Sequence, residues 1–196
     1  MPQRPAPELV PLLEEVRKCR LCEGLIPAPR PVLQMSASAR LLVIGQAPGT
    51  RVHDSGIPWN DASGKRLRQW LGLSDAEFYD DSRVAIMPMG FCYPGKGKSG
   101  DLPPRPECAR QWHQQLLQQL PDIQCTILIG QYAQNHYLPG NYKSLTERVR
   151  NWAEFAPQFF VTPHPSPRNQ LWLRRNPWFE AEAVPALRAR VKQLLA

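Results

Sequence analysis

Long apolar runs are what this sequence most plainly lacks. No stretch approaches the ~18 consecutive apolar residues that a membrane-spanning helix needs, so no membrane partner is expected. Met1-Pro2-Gln3-Arg4-Pro5 has no apolar h-region, so no secretory leader is read there and a cytoplasmic location is the expectation. Internal repeats and low-complexity tracts are missing too, which argues against solenoids and disordered linkers. The 22 prolines are spread along the chain as loop punctuation. With 196 residues and 42% hydrophobic content, the chain can bury one core, and residues 1–196 are expected to form one domain, acting as a monomer.

Acidic residues are in the minority, 17 against 24 Lys plus Arg, for a net charge of +7. That excess suits a polyanionic partner such as nucleic acid, although ordinary solubilising charge would read the same way. Arg heavily outnumbers Lys, and its planar fork is the better match to phosphate.

Short apolar runs alternate with helical periodicity. Arg40–Ile44, Val84–Met87, Thr126–Ile129 and Phe159–Thr162 read as strands. Glu8–Arg20, Gly64–Leu71, Arg110–Leu120 and Trp178–Leu195 read as helices, with another starting at Gln131–Leu138. Such alternation predicts a three-layer α/β/α fold around a central, mainly parallel four-stranded sheet. In sheets of this kind ligands bind beyond the carboxyl ends of the strands. Two Pro-braced segments fall there: Gly45-Gln46-Ala47-Pro48-Gly49 after the first strand and His164-Pro165-Ser166-Pro167-Arg168-Asn169 after the last. They are expected to form opposite walls of one pocket. One offers close backbone approach, the other an imidazole, a hydroxyl and a guanidinium.

Five cysteines are present. Cys19 and Cys22 form a CxxC pair, while Cys92 and Cys108 flank a Pro/Gly-rich loop. Structural disulfides are disfavoured in the cytosol, which favours a metal centre on these four thiols. Spacing alone suits either zinc or an iron–sulfur cluster, and buried thiols with no metal are the plain alternative. Cys125, inside an apolar run, is expected in the core. Lys96, Lys98 and Arg105 in the Pro/Gly loop are candidates for gripping a phosphate backbone.

Taken together, these motifs resemble the uracil-DNA glycosylase superfamily over nearly the whole chain, and most closely its iron–sulfur branch. Gly45–Gly49 resembles that branch's Gly-Glu-Ala-Pro-Gly motif, and Asp54-Ser55-Gly56-Ile57-Pro58-Trp59 resembles the stretch that ends in a base-stacking Phe. Ser63-Gly64-Lys65-Arg66-Leu67 resembles the family's Gly-led helix start, and His164–Asn169 resembles the second motif in its single-strand-selective form. The resemblance implies base-excision repair of DNA containing a damaged base, with Trp59 stacking on the extruded base. It also implies a 4Fe-4S cluster on Cys19, Cys22, Cys92 and Cys108.

The expected catalytic set is His164, donating to the departing base; Gln46, orienting water or base; and Asp61, acting on the water, with Asp54 as a second carboxylate. Gly45, Ala47, Trp59, Ser166 and Arg168 are the expected substrate contacts. His53, His113 and His136 are left without a role. Two departures stand out. Ala47 replaces the water-activating Asp or Asn of some branches, as it does in the iron–sulfur branch. The family's base-reading Asn aligns with Pro88, which has no side-chain amide. Uracil leads as the excised base, with hypoxanthine or xanthine, or a catalytically silent DNA-binding module, as alternatives.

Overall fold

Alternate residues of the first strand face opposite ways, and its two faces are both buried. Leu42 and Ile44 enter one core cluster, and Leu41 and Val43 the other. A strand apolar on both faces needs helices above and below, which is the arrangement found. A computed structural model describes residues 8–138 and 140–196. The Met1–Pro5 stretch read for a leader lies outside them.

The strands are β1 (Leu41–Ile44), β2 (Val84–Ile86), β3 (Lys96–Gly97), β4 (Gly100–Asp101), β5 (Cys125–Ile129) and β6 (Phe159–Thr162). The main sheet has the order β2-β1-β5-β6, and every pairing in it is parallel, with Leu41 opposite Val84 and Cys125, and Thr126 opposite Phe159. The carboxyl ends of β1, β2 and β6 therefore open on the same edge. Leu12, Leu13 and Val16 of the helix Leu9–Arg17 cover one face together with Trp112, Leu116 and Ala133. Leu67 and Leu71 of Ala62–Leu71 cover the other with Leu187, Val191 and Leu194 of Val184–Leu195. Among the described residues no helix is long and apolar enough to cross a membrane.

The expected α/β/α fold is found, with differences of detail. The first helix stops at Arg17, short of Arg20, where the chain turns into the CxxC segment. The helix expected at Arg110 begins at Pro106, whose fixed φ suits a first turn. That helix, residues 106–118, is π-helical over Ala109–His113, and the closing helix likewise opens with a π-helical stretch, Phe179–Ala183. Within the Pro/Gly loop β3 and β4 form a small antiparallel hairpin, pairing Lys96 with Asp101.

Candidate active site

Both Pro-braced segments line one cleft of about 420 Å³ at the carboxyl edge of the sheet. Gly45, Gln46, Ala47, Trp59, Asp61, His164, Ser166 and Arg168 all contribute to its wall. Pro88 is there too, as are Ser63 and Asp101. Asp54 is exposed on the helix Thr50–Ser55 and does not line the cleft.

The first wall depends on the absence of a side chain at position 45. A Cβ on Gly45 would sit 2.6 Å from Cζ2 of Trp59, so the indole can lie on this backbone only because the residue is Gly. Trp59 itself takes a left-handed conformation, φ 56°, a strained state for an aromatic residue that costs on the order of 1–3 kcal/mol. Neighbours hold it there. Tyr79 donates its hydroxyl to the Pro58 carbonyl (3.0 Å), and Arg68 donates to the Trp59 carbonyl (3.3 Å) while pairing with Asp75 (2.6 Å). Gly64 lets that same carbonyl lie against the start of the next helix.

The second wall is fixed by short-range bonds in the loop. The Ser166 backbone N–H donates to Nδ1 of His164 (3.2 Å), and Asn169 donates its amide to the His164 carbonyl (2.8 Å). Gln134, fully buried, anchors the strand that leads in, donating to the carbonyls of Thr162 (2.8 Å) and Leu128 (3.1 Å). Burial holds the His164 imidazole below its ordinary value, against the opposite pull of Asp61 and Asp101. The ring is therefore neutral at pH 7, and with Nδ1 accepting from Ser166 its proton sits on Nε2. His164 and Trp59 lie 5.7 Å apart, ring to ring.

Asp61 has a structural task as well. Its Oδ1 accepts from the Gly64 N–H (2.8 Å) and caps the helix Ala62–Leu71. Asp101, which sequence reasoning passed over, comes from β4, and its Oδ2 would lie 3.5 Å from a Cβ on Gly49. Nothing in Lys-Gly-Lys-Ser-Gly-Asp flags it, since only the hairpin brings it to the cleft. Arg168 reaches across to the same hairpin, donating to the Ser99 carbonyl (3.1 Å). Lys96 and Lys98 are exposed there, whereas Arg105 is half-buried, paired with Glu107 and close to Cys22.

A separate small cavity is lined by Cys19, Cys22, Cys92 and Cys108, with Glu107 and Trp112. Burial pushes the thiols up, Cys92 to about 11 and Cys108 to about 12, and raises Cys22 as well. Phe91 donates its backbone N–H to Sγ of Cys108 (3.4 Å), and the buried indole N–H of Trp112 has no hydrogen-bond partner among the described residues. Among the described residues, no three His, Cys, Asp or Glu side chains gather closely enough for a single metal ion. Four thiols around one cavity, with N–H groups beside them, fit a cluster that takes Cys ligands and N–H···S hydrogen bonds. Cys125 lies apart, in the core of β5.

A family model described as the Uracil DNA glycosylase superfamily matches residues 34–188. The match takes in both walls of the cleft together with Cys92 and Cys108, while Cys19 and Cys22 precede it.

Proposed function

This chain belongs to the uracil-DNA glycosylase superfamily, and we propose that it is a DNA glycosylase of the iron–sulfur branch that removes a deaminated base, uracil foremost. The observation that carries this reading is the buried His164 imidazole, its Nδ1 accepting from the Ser166 N–H, on a cleft whose opposite wall is the Gly45–Gly49 backbone.

Hydrolysis requires the target nucleotide to leave the stack and enter the cleft. The bond from C1′ to the base nitrogen then breaks, and the base departs with the electron pair while the sugar becomes oxocarbenium-like. His164 donates its Nε2–H toward the base O2, where the negative charge grows, and backbone N–H groups around Gln46 and Ala47 assist. Trp59 stacks on the base, a contact worth about 1–3 kcal/mol. Ser166 and Arg168 hold the flanking phosphates. Water adds to C1′ and gives up a proton, which ends on the departed base and neutralises it. Asp61 positions that water through its uncapped oxygen; Asp101 is the second reading, favoured by the capping bond that already occupies Asp61.

Base selection falls to Gln46. Pro88 presents no amide or N–H, and among the described residues the one carboxamide side chain lining the cleft is that of Gln46. A carboxamide pairs an acceptor with a donor, matching the adjacent N–H and C=O that uracil, hypoxanthine and xanthine share. Cys19, Cys22, Cys92 and Cys108 would hold a 4Fe-4S cluster, which supplies a rigid cross-link between the N-terminal segment and the hairpin loop.

The test is a panel of single- and double-stranded oligonucleotides carrying uracil, hypoxanthine or xanthine, incubated with the metal-loaded protein and then treated with hot alkali. Strand breaks at the lesion are expected, first at uracil. Intact strands across the panel would overturn the enzyme reading in favour of a DNA-binding module. Visible cluster absorption, lost in a Cys92→Ser and Cys108→Ser variant, distinguishes iron–sulfur from zinc.

A further inference from the structure

Pro88 leaves the base-facing wall short of a fixing group. Along this segment the Met87, Met89 and Gly90 N–H groups donate to the carbonyls of Val43 (3.0 Å), Gly45 (2.9 Å) and Gln46 (3.0 Å), stitching it to the first wall. Pro88 has no N–H to add, and its peptide is held instead from behind. His113, only 2% exposed, places Nε2 3.1 Å from the Pro88 carbonyl and Nδ1 2.6 Å from the Tyr137 hydroxyl. A carbonyl only accepts, so Nε2 carries the proton and Tyr137 donates to Nδ1. The imidazole lies nearly parallel to the rings of Phe91 (5.5 Å between centroids) and Tyr137 (6.1 Å).

The same helix reaches this segment at a second point. Cys108 accepts from the Phe91 N–H, and His113 follows five residues later, at the end of the π-helical stretch Ala109–His113. A π turn returns to the same side after five residues rather than four. One helix thus grips residues 88–91 at both ends, and the π-helical register is what allows it.

We propose that His113 is a positioning residue for base recognition, holding the Pro88 wall in register with Gly45 and Gln46. The inference rests on the glycosylase reading of the cleft. A misplacement of the wall by about 1 Å can cost on the order of a hundredfold in rate, with little change in the affinity set by phosphate contacts.

Three variants separate this role from simple packing. His113→Phe keeps the stacked ring and removes both hydrogen bonds. His113→Asn is polar but too short to reach Pro88, and His113→Gln retains a donor near the Nε2 position. With a uracil-containing single strand, His113→Phe and His113→Asn are expected to lower the single-turnover rate at least about tenfold, with KM for the DNA within about twofold. His113→Gln should stay within about threefold of the parent. Amide hydrogen exchange at Met89 and Gly90 should rise about tenfold in the first two variants while β5 stays protected. Unchanged exchange at Met89 and Gly90, or an unchanged rate in both deficient variants, would overturn the proposal, as would a His113→Gln rate no better than His113→Asn. A parent protein that leaves every lesion uncut counts against the glycosylase reading alone, and the exchange pattern then decides for or against His113. If His113→Phe does not fold, the Asn and Gln pair carries the same comparison.

Discussion

The backbone N–H of Ser166 donates to Nδ1 of His164 at 3.2 Å, and this one bond sets the tautomer on which the proposed chemistry depends. Ser166 has φ −58° and ψ 141°, angles that proline can adopt, also when another proline follows. Ser166→Pro therefore fits the backbone path but puts its ring Cδ where the N–H was, against Nδ1, so the imidazole loses the bond and must shift, whereas Ser166→Ala removes only the hydroxyl. The single-turnover rate of Ser166→Pro is expected to fall at least about tenfold below that of Ser166→Ala, because the imidazole loses both its position and the bond that fixes its tautomer. Burial also keeps His164 below its ordinary value, so the loss of rate that protonation brings should set in at a lower pH than the roughly 6.5 of an ordinary imidazole. A rate that climbs as pH drops through 6.5 would instead require the imidazolium.

Gly45→Ala tests the close approach of Trp59. The added Cβ would meet Cζ2 at 2.6 Å, well inside van der Waals contact, so the indole must shift or the loop must move. Overpacking of this kind costs about 1–3 kcal/mol. A lower unfolding midpoint together with a loss of single-turnover rate is expected. Gly49→Ala is the control, since its Cβ would meet its nearest neighbour at 3.5 Å.

Much of this pocket was legible in the sequence because its two walls are punctuated apolar strands. Phe159–Thr162 is bounded in the structure as its β-branched and aromatic residues imply, and the Pro-braced His164 loop follows directly. What was not legible depends on contacts distant along the chain. His113 carried no signal because its partners are Pro88 and Tyr137, separated from it by 25 and 24 residues. Asp101 was hidden because a hairpin of two-residue strands has no periodicity to read. Short polar helices such as Leu145–Arg150 and Gln170–Arg175 owe their form to tertiary packing around Trp70 and Phe179 more than to propensity.

Asp61 and Asp101 can be separated by choosing substitutions that respect the cap. Asn is as good a cap as Asp, so Asp61→Asn removes the charge and keeps the helix start, while Asp61→Ala loses about 1 kcal/mol of stability as well. If Asp61 acts on the water, Asp61→Asn should slow the single-turnover reaction at least about tenfold at an unchanged unfolding midpoint. If Asp61 only caps, that variant stays near the parent rate and Asp101→Asn slows the reaction instead. The side chain of Asp101 is exposed on the hairpin, so its removal should leave stability within about 0.5 kcal/mol.

His113 also gives the fold a specific acid sensitivity. Burial, reinforced by the nearby His136, lowers its pKa from 6.5 to about 4, against the opposing pull of the Pro88 carbonyl. Tyr137 on the other side stays neutral, since burial raises its own value. Between these two pH values the unfolded chain takes up a proton that the folded protein refuses. Stability contributed at His113 is thus complete above about pH 6.5 and falls as the pH drops toward 4, levelling off below that. The difference in pKa corresponds to roughly 3 kcal/mol. Denaturant titrations at pH 7 and pH 4 should show the parent losing more stability than His113→Phe by about this amount. Parallel losses in the two proteins would mean that His113 takes up its proton as readily in the folded state as in the unfolded chain.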